Sequence, residues 1–281
     1  MSDGSLAIIA GSGVLPRMIA EARAAEGAER LVVEFEGVPV GSWAEAHPRL
    51  RLPFEKPGRL FSELRKAGCT EVTFAGGMQR PRLRPLHFDL TALRLATRIL
   101  PMLRQGDDAL LRSLASVFEA EGFSVTAPHA YLEGLLAAEG VPSRVKPSEE
   151  DRSDAARAAG LVAGIGALDV GQAAVVAQGI CLGLETVQGT DALIDFVAAT
   201  RAGFAHDPGG GRGVLLKAPK PGQDWRVDLP AIGPETLRRA ARAGLSGVAV
   251  QAGGVLILGL EETVAAADEE GLFLWGRRAE G

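Results

Sequence analysis

The stretch LAIIAGSGVLP, at residues 6–16, joins an apolar run to a glycine turn and to the proline of a helix start. The run predicts a short buried strand over residues 6–10, and the pattern after the turn predicts a helix over 15–25. Further strands over 31–35 and 71–75 and a helix over 60–67 follow. Strands that alternate with helices are typical of a parallel sheet with right-handed crossovers. The sequence therefore predicts an α/β fold that begins with a Rossmann-like parallel-sheet domain.

A second α/β domain, with a mixed sheet, is predicted after a polar linker. Helices over 92–103 and 107–121 complete the first domain, and the proline-bearing, charged stretch PSRVKPSEEDRSD follows at 142–154. We place the linker within about residues 131–151 and the domains at 1–131 and 132–281. In the second domain we expect helices over 154–165 and 191–201, and paired strands over 173–180 and 182–185. Strands over 248–250 and 255–258 flank two glycines and predict a hairpin.

The composition limits the classes of partner. The net charge is −5, so no overall positive field attracts nucleic acid. Cys69 and Cys181 fit no metal-site or redox spacing and predict reduced thiols in the cytoplasm. The first residues, MSDGS, are not typical of a signal peptide, and no apolar run is long enough to span a bilayer. Any contact with a membrane is therefore expected to be peripheral.

The glycine turn after the first strand, Gly11-Ser12-Gly13, is a candidate phosphate-binding element. Glycines let the backbone approach a phosphate, and the N-terminus of the following helix supplies N–H donors. A dinucleotide fingerprint requires a third glycine, but Pro16 stands in its place. Glu34, near the end of the second strand, matches the position of a ribose-binding acid, so NAD binding stays open. A tight turn without a ligand is the other alternative to a nucleotide or phosphate site.

The first domain offers two further candidates for substrate binding. Gly76-Gly77 ends the third strand, and Arg80 follows three residues later, where its guanidinium suits bidentate contact with a phosphate. The alternative for Arg80 is a solvated loop. Asp107-Asp108 stands at a helix start, where acids stabilise the helix dipole without any ligand. As functional residues, the pair would bind a metal or a sugar hydroxyl.

Polar loops in the second domain carry candidate ligands. Asp169 is followed by Gln172, and the glutamine suits contact with a base or a sugar, whereas the aspartate alone suits a turn. Glu185 ends an apolar run, and Thr190 and Asp191 open a helix, for which a capping role is the structural explanation. Oxygen ligands placed like Glu185 and Asp191 also suit a hard cation such as Mg²⁺.

The segment KAPKPGQDWRVDLPAIG, at 217–233, combines prolines with charged residues. Lys217, Lys220 and Arg226 offer positive charge to a pyrophosphate. Asp228 lies between two apolar neighbours, where a carboxylate is costly to bury unless it is paired or binds a metal. Hydrolysis at phosphorus needs both cations and such a carboxylate. A salt-bridged aspartate in a loop is the alternative, and Asp224 is expected to face solvent.

Seven motifs in this order resemble one family. They are AGSGVLP, AGGMQRP, QGDDALLR, DVGQAAVV, ETVQGTDALI, KAPKPGQDWRVDLPAIG and AARAGLSGVAVQAG. Together they are similar to the LpxI family, the UDP-2,3-diacylglucosamine pyrophosphatases of lipid A biosynthesis, over nearly the whole chain. Met78-Gln79 departs from the smaller or β-branched residue expected there.

The resemblance implies a Mg²⁺-dependent hydrolase. It implies cleavage of UDP-2,3-diacylglucosamine into UMP and 2,3-diacylglucosamine 1-phosphate, a homodimer, and a location in the cytoplasm at the periphery of the inner membrane. The essential aspartate of the RVDLP motif corresponds to Asp228. The GTDA motif corresponds to Thr190 and Asp191, and the D-x-G-Q motif to Asp169 and Gln172.

From these residues we expect metal-activated water to attack a phosphorus of the pyrophosphate. Asp228 would either hold the metal, with Asp191 and Glu185, or orient the water. Lys217, Lys220 and Arg226 would stabilise phosphate oxygens. Two other functions remain open: an NAD(P)-dependent oxidoreductase, and a nucleotide or lipid carrier without activity. An NAD titration tests the first, and release of UMP excludes the second.

Overall fold

The computed structural model of the chain describes residues 4–78, 83–102, 107–204 and 207–279. The chain divides into two compact units. The first comprises Met1–Glu133 and Asp224–Asp228, and the second comprises Gly134–Gln223 and Leu229–Gly281. The division at residue 133 falls within the stretch in which the linker was placed. No pattern in the sequence assigned residues 224–228 to the first unit.

Within the described residues, the first unit contains a five-stranded sheet whose strands are all parallel. It consists of β1 (Ser5–Ala10), β2 (Arg30–Phe35), β3 (Arg49–Leu52), β4 (Cys69–Ala75) and β5 (Ser124–Val125), in the order β3-β2-β1-β4-β5. β1 is central and fully buried, as its apolar sequence predicts. The sequence analysis missed β3, although its RLRL alternates exposed arginines with more buried leucines, a pattern typical of a half-buried strand. The α/β fold with a parallel first sheet is confirmed.

Helices α1 (Leu15–Ala25), α2 (Pro57–Lys66), α3 (Leu90–Met102) and α4 (Asp107–Ala120) accompany this sheet. Aromatic side chains fill much of the core. Phe61 lies edge-to-face on Phe118, with ring centroids 5.3 Å apart, and Phe123 packs beside both. Val227, from the segment 224–228, is 7% exposed and belongs to the same core.

The second unit has a mixed sheet, as predicted. Its strands are β6 (Ala173–Ala177), β7 (Ile180–Leu184), β8 (Val214–Lys217), β10 (Gly247–Gln251) and β12 (Phe273–Arg277), in the order β12-β10-β8-β6-β7. β8, β10 and β12 are parallel, whereas β6 runs antiparallel to both β8 and β7. The carboxyl ends of β7 and β8 and the amino end of β6 therefore meet at one edge of the sheet.

The predicted hairpin at residues 248–258 is wrong. β10 already has β8 and β12 as neighbours, so it has no edge left for the strand that follows it. That strand, β11 (Leu256–Ile257), pairs in parallel with β9 (Ala231–Ile232) instead.

The helices of the second unit are α5 (Glu149–Ala167), α6 (Gly189–Thr200), α7 (Pro234–Arg242) and α8 (Leu260–Glu269). α5 begins five residues before the predicted start. Ser148 and Asp151 form a reciprocal capping box there, and this pattern is readable from sequence. No helix in the described part of the chain is both long and apolar enough to cross a membrane.

Candidate functional site

Two glycine turns interlock at the carboxyl ends of β1 and β4. The backbone N–H of Ser12 donates to the carbonyl oxygen of Gly77 at 2.7 Å, and the N–H of Gly77 donates back to the carbonyl of Ser12 at 3.0 Å. A Cβ at Gly11 would lie 2.5 Å from the Gly77 carbonyl oxygen, and one at Gly76 would lie 2.3 Å from that of Ser12. Glycine is required at both positions because the two backbones approach so closely.

This pairing changes the interpretation of the predicted phosphate-binding turn. The N–H groups of Ser12 and Gly77 serve the contact between the turns, and the Ser12 hydroxyl also donates to the Gly77 carbonyl at 3.0 Å. Gly13 has a φ of +94° and open space where a Cβ would stand, so its role in substrate binding stays a prediction. Glu34 is buried, and its carboxylate lies 3.4 Å from Arg49 on β3. A cross-strand ion pair therefore explains this acid without NAD.

An apolar cavity of about 400 Å³ lies beside the same strand ends. Gly76 and Gly77 form part of its wall, and α2, α3 and α4 contribute aliphatic side chains. Phe35 stacks on Phe54 at one side, with ring centroids 4.2 Å apart. The remaining aromatic side chains in the described lining are Phe61, Phe74, Phe88 and Phe118.

Among the described residues that line this cavity, the charged side chain is that of Asp228. The residue is half-buried, and its neighbour Val227 is anchored in the core of the first unit. The cavity therefore combines a large apolar wall with a carboxylate at one position. Such a combination suits a ligand that has both hydrocarbon and polar parts.

Arg226 lies within a network of carboxylates on the first unit. Its guanidinium contacts Asp224 at 2.7 Å and Glu119 on α4 at 2.5 Å. The hydrogen bonds to Arg226 hold the pKa of Asp224 below its ordinary value, and pairing with both carboxylates raises the pKa of Arg226. Asp224 was expected to face solvent, but its side chain is only 16% exposed because Arg226 folds over it. These ion pairs fix the segment that carries Asp228.

In the second unit, two buried charged side chains and one half-buried hydroxyl form a chain of hydrogen bonds at the edge where β7 and β8 end. The Lys217 ammonium donates to the Thr190 hydroxyl at 2.7 Å, and this hydroxyl donates to the Glu185 carboxylate at 3.2 Å. Lys217 and Glu185 are each 7% exposed. Thr190 was expected to cap α6, but the N-cap is Gln188, and no side chain caps there. The sequence placed these residues in one region but did not predict that they bind each other.

The segment after β8 brings a second lysine to the same edge, where it meets the loop before β6. Lys220 donates to the Asp169 carboxylate at 2.5 Å, and Asp169 itself adopts a left-handed conformation with φ of 54°. A Cβ at Gly171 would lie 2.1 Å from the Glu185 carbonyl oxygen, so glycine permits this loop to approach β7. The side-chain oxygen of Gln172 is buried, with no hydrogen-bond partner in the described residues. A buried acceptor of this kind suits a donor from a ligand.

Sequence reasoning missed one residue that shapes this loop. Gln223 is buried, and its side-chain oxygen accepts from the backbone N–H of Lys220 at 2.8 Å. The Pro221-Gly222 dipeptide between them is a turn signal that was available from sequence.

The predicted metal ligands have other partners in the second unit. Asp191 is exposed and lies 3.6 Å from Arg239 on α7, and Glu185 accepts from Thr190. Among the described side chains, no group of three or more His, Cys, Asp or Glu is arranged to hold a metal. Among the described residues, the Asp228 carboxylate suits Mg²⁺ as a single protein ligand, because Mg²⁺ commonly takes its other oxygens from phosphate and water.

Some predicted substrate-binding residues lie outside what the structure describes. Arg80 is outside the described residues, and so are the side chains of Asp107 and Asp108, whose backbone opens α4. Their predicted roles stay predictions.

Comparison with known proteins gives a consistent match along the chain. The LpxI N-terminal domain matches residues 5–135, and the LpxI C-terminal domain matches residues 138–275. UDP-2,3-diacylglucosamine pyrophosphatase LpxI from Caulobacter vibrioides is 38% identical over 271 residues, which cover 96% of each chain. Among solved structures, CobK precorrin-6A reductase aligns with 99% of this chain over 89% of its own length. At 16% identity and a TM-score of 0.33, this likeness carries no conclusion. The two domain matches and the 38% identity show that this chain belongs to the LpxI family.

Proposed function

We propose that this chain hydrolyses the pyrophosphate of UDP-2,3-diacylglucosamine, giving UMP and 2,3-diacylglucosamine 1-phosphate in lipid A biosynthesis. The observation that supports this most is the apolar cavity with Asp228 in its wall. The relative from Caulobacter vibrioides carries the name of this activity. The substrate has acyl chains, a sugar and a pyrophosphate, so its enzyme needs both apolar and polar surfaces.

The acyl part of the substrate is assigned to the cavity. Its volume of about 400 Å³ lies in the range of small-molecule sites, roughly 300–1,000 Å³. Its aromatic and aliphatic walls stabilise a hydrocarbon chain by removing it from water. Substitution Ala96→Phe, on the α3 face that lines the cavity, should lower kcat/KM more for long-chain than for short-chain substrates. Equal losses for both chain lengths would contradict the assignment.

The polar groups have separate proposed roles. Asp228 orients the attacking water, whose oxygen forms a bond to one phosphorus while the bridging P–O bond breaks. In the second unit, Lys217 and Lys220 supply positive charge to phosphate oxygens, and Gln172 and Thr190 supply hydrogen bonds. Arg226 acts as a positioning residue, because its guanidinium is engaged by Asp224 and Glu119.

Mg²⁺ dependence is part of the proposal. Asp228 is the protein ligand that we assign to it, because its carboxylate lines the cavity. Asp191 and Glu185 contact Arg239 and Thr190 in the second unit. When bound, Mg²⁺ would neutralise charge on the pyrophosphate oxygens. A cytoplasmic location, peripheral contact with the inner membrane and a homodimer belong to the same proposal.

The test is hydrolysis of UDP-2,3-diacylglucosamine in oxygen-18 water, with and without EDTA, with mass analysis of both products. We expect label in one product, loss of activity with EDTA, and a fall of roughly hundredfold or more in kcat/KM for Asp228→Asn. Glu149→Gln, at a side chain 96% exposed on α5, is the control and should retain wild-type activity. Tight binding without UMP release would identify a carrier instead, and wild-type activity of Asp228→Asn would remove the proposed role.

A further inference from the structure

We propose that the outer face of the segment 83–96 docks on an anionic phospholipid bilayer through Leu86, Leu90 and Leu93. We call these three residues the leucine surface. The inference rests on the proposed function, because a diacyl substrate resides in a membrane. It names the part of the chain that meets that membrane.

The leucine surface is exposed to an unusual degree. Leu86, in a short 3₁₀ turn (Pro85–His87), is 99% exposed, and Leu90 and Leu93 on α3 are 82% and 54% exposed. Leu90 and Leu93 are three residues apart, so they share one face of the helix. Scattered exposed leucines are ordinary, but three on eight consecutive residues form a patch.

The opposite side of the same segment is also apolar. Ala92, Leu95 and Ala96 line the cavity that we assign to an acyl chain. A water-facing helix normally places polar residues on the side away from its core, whereas α3 has leucines there. The segment therefore separates an apolar interior from an apolar exterior, an arrangement that suits an element lying at a membrane interface.

The charge of this part of the sequence favours a bilayer over other partners. Between Arg80 and Arg104 the sequence contains six arginines and a single acid, Asp89, in a chain of net charge −5. Both carboxylate oxygens of Asp89 accept backbone N–H groups, from Gly58 and from Ala92. Basic residues close in sequence to exposed leucines are typical of segments that bind the surface of anionic membranes.

The test measures binding to vesicles without substrate. The full chain is floated with vesicles of phosphatidylethanolamine and phosphatidylglycerol, and separately with vesicles of phosphatidylcholine. We expect binding to the anionic vesicles that weakens as salt is added. The variant L86N/L90N/L93N should lower the partition coefficient roughly tenfold or more, which is about 1.4 kcal/mol.

A matched control distinguishes membrane binding by the leucine surface from nonspecific binding by any exposed apolar side chains. The variant L168N/I180N/F196N replaces three residues of the second unit that are 77%, 53% and 56% exposed, and it should partition as wild type does. L86N/L90N/L93N should also keep wild-type kcat/KM on substrate dispersed in detergent.

Three results would overturn the inference. They are failure of the wild-type chain to bind anionic vesicles, equal partition of wild type and L86N/L90N/L93N, and a change of L86N/L90N/L93N from dimer to monomer in sedimentation equilibrium. The last result would assign the surface to a second copy. Vesicle binding that depends on the leucines in a chain without hydrolytic activity would remove the proposed function and leave this inference standing.

Discussion

The ammonium of Lys217, at the end of β8, lies 2.7 Å from the hydroxyl of Thr190 in α6; the lysine is buried and the threonine is half-buried. The hydroxyl accepts from the lysine and donates to Glu185, so one neutral side chain joins two buried charges. Removing one hydrogen bond from a buried charge is costly, although Lys217 also donates to the Ala231 carbonyl at 3.2 Å. Thr190 is therefore important for stability as well as for the proposed binding of substrate.

Thr190→Val keeps the shape of the side chain and removes the hydroxyl. We expect the free energy of unfolding to fall by about 1–3 kcal/mol, because Lys217 and Glu185 each lose a hydrogen bond. Urea unfolding measures this change. Thr200→Val, on the exposed end of the same helix, is the control and should change stability by no more than about 0.5 kcal/mol. Similar losses of unfolding free energy for both variants would mean that the hydrogen bonds of Thr190 contribute little to stability.

Gly11→Ala tests the close approach of the two glycine turns. The added Cβ would stand 2.5 Å from a backbone oxygen that cannot move without separating β1 from β4. We expect a loss of about 1–3 kcal/mol in thermal or urea unfolding. Gly160→Ala, at an exposed position of α5 with open space around the added Cβ, should instead be neutral or gain up to about 1 kcal/mol. An unaffected Gly11→Ala protein would show that the turns separate readily.

Tyr131 is the single tyrosine of the chain, so the pKa of its hydroxyl can be measured without overlap from other tyrosines. Burial is the largest cause that raises the pKa of Tyr131 to about 12, and its hydroxyl donates to Glu71 at 3.0 Å. Because the folded pKa is raised, the associated stability is complete below about pH 10 and is lost as pH rises through about 12. Absorbance of tyrosinate against pH should show this midpoint in the folded chain and one near 10 in denaturant. A folded midpoint near 10 would contradict the buried placement.

The ion pair between Asp224 and Arg226 predicts that the stability of the fold decreases at acid pH. The pKa of Asp224 is lowered, chiefly by hydrogen bonding to Arg226, from an ordinary value of 3.8. The stability from this pair is therefore present above about pH 4 and is lost as pH falls through the lowered pKa. Arg226→Gln should be less stable than wild type near neutral pH, and the difference should shrink in acid. Arg17→Gln, which breaks an exposed pair with Glu21, should change little at any pH.

Local patterns were enough to predict most of the fold. The buried run before Gly11 and the glycines after β4 predicted strands and turns that the structure contains. The start of α5 was missed although Ser148 and Asp151 signal it, because the surrounding charges resemble a linker. The hairpin failed because sequence does not show that β10 has neighbours on both sides.

The contacts within the candidate sites were less predictable, because they join distant parts of the chain. Arg226 was expected to meet a phosphate, but the structure pairs it with Glu119, more than one hundred residues away. Lys217 and Thr190 were both expected to bind substrate, yet nothing in their spacing indicates that they bind each other. Sequence placed these polar residues at strand ends that the structure contains, whereas their hydrogen-bond partners depend on how distant segments pack together.

The membership of residues 224–228 in the first unit has a consequence for how the chain is made. A ribosome releases every strand of the first sheet long before it releases Val227, which belongs to the core of that unit. During this interval the nascent first unit lacks a core residue, and an incompletely packed core is prone to aggregation. Completion of the first unit therefore has to wait until most of the second has been synthesised. Cutting the gene at the boundary between the two would leave the first permanently in that unfinished state.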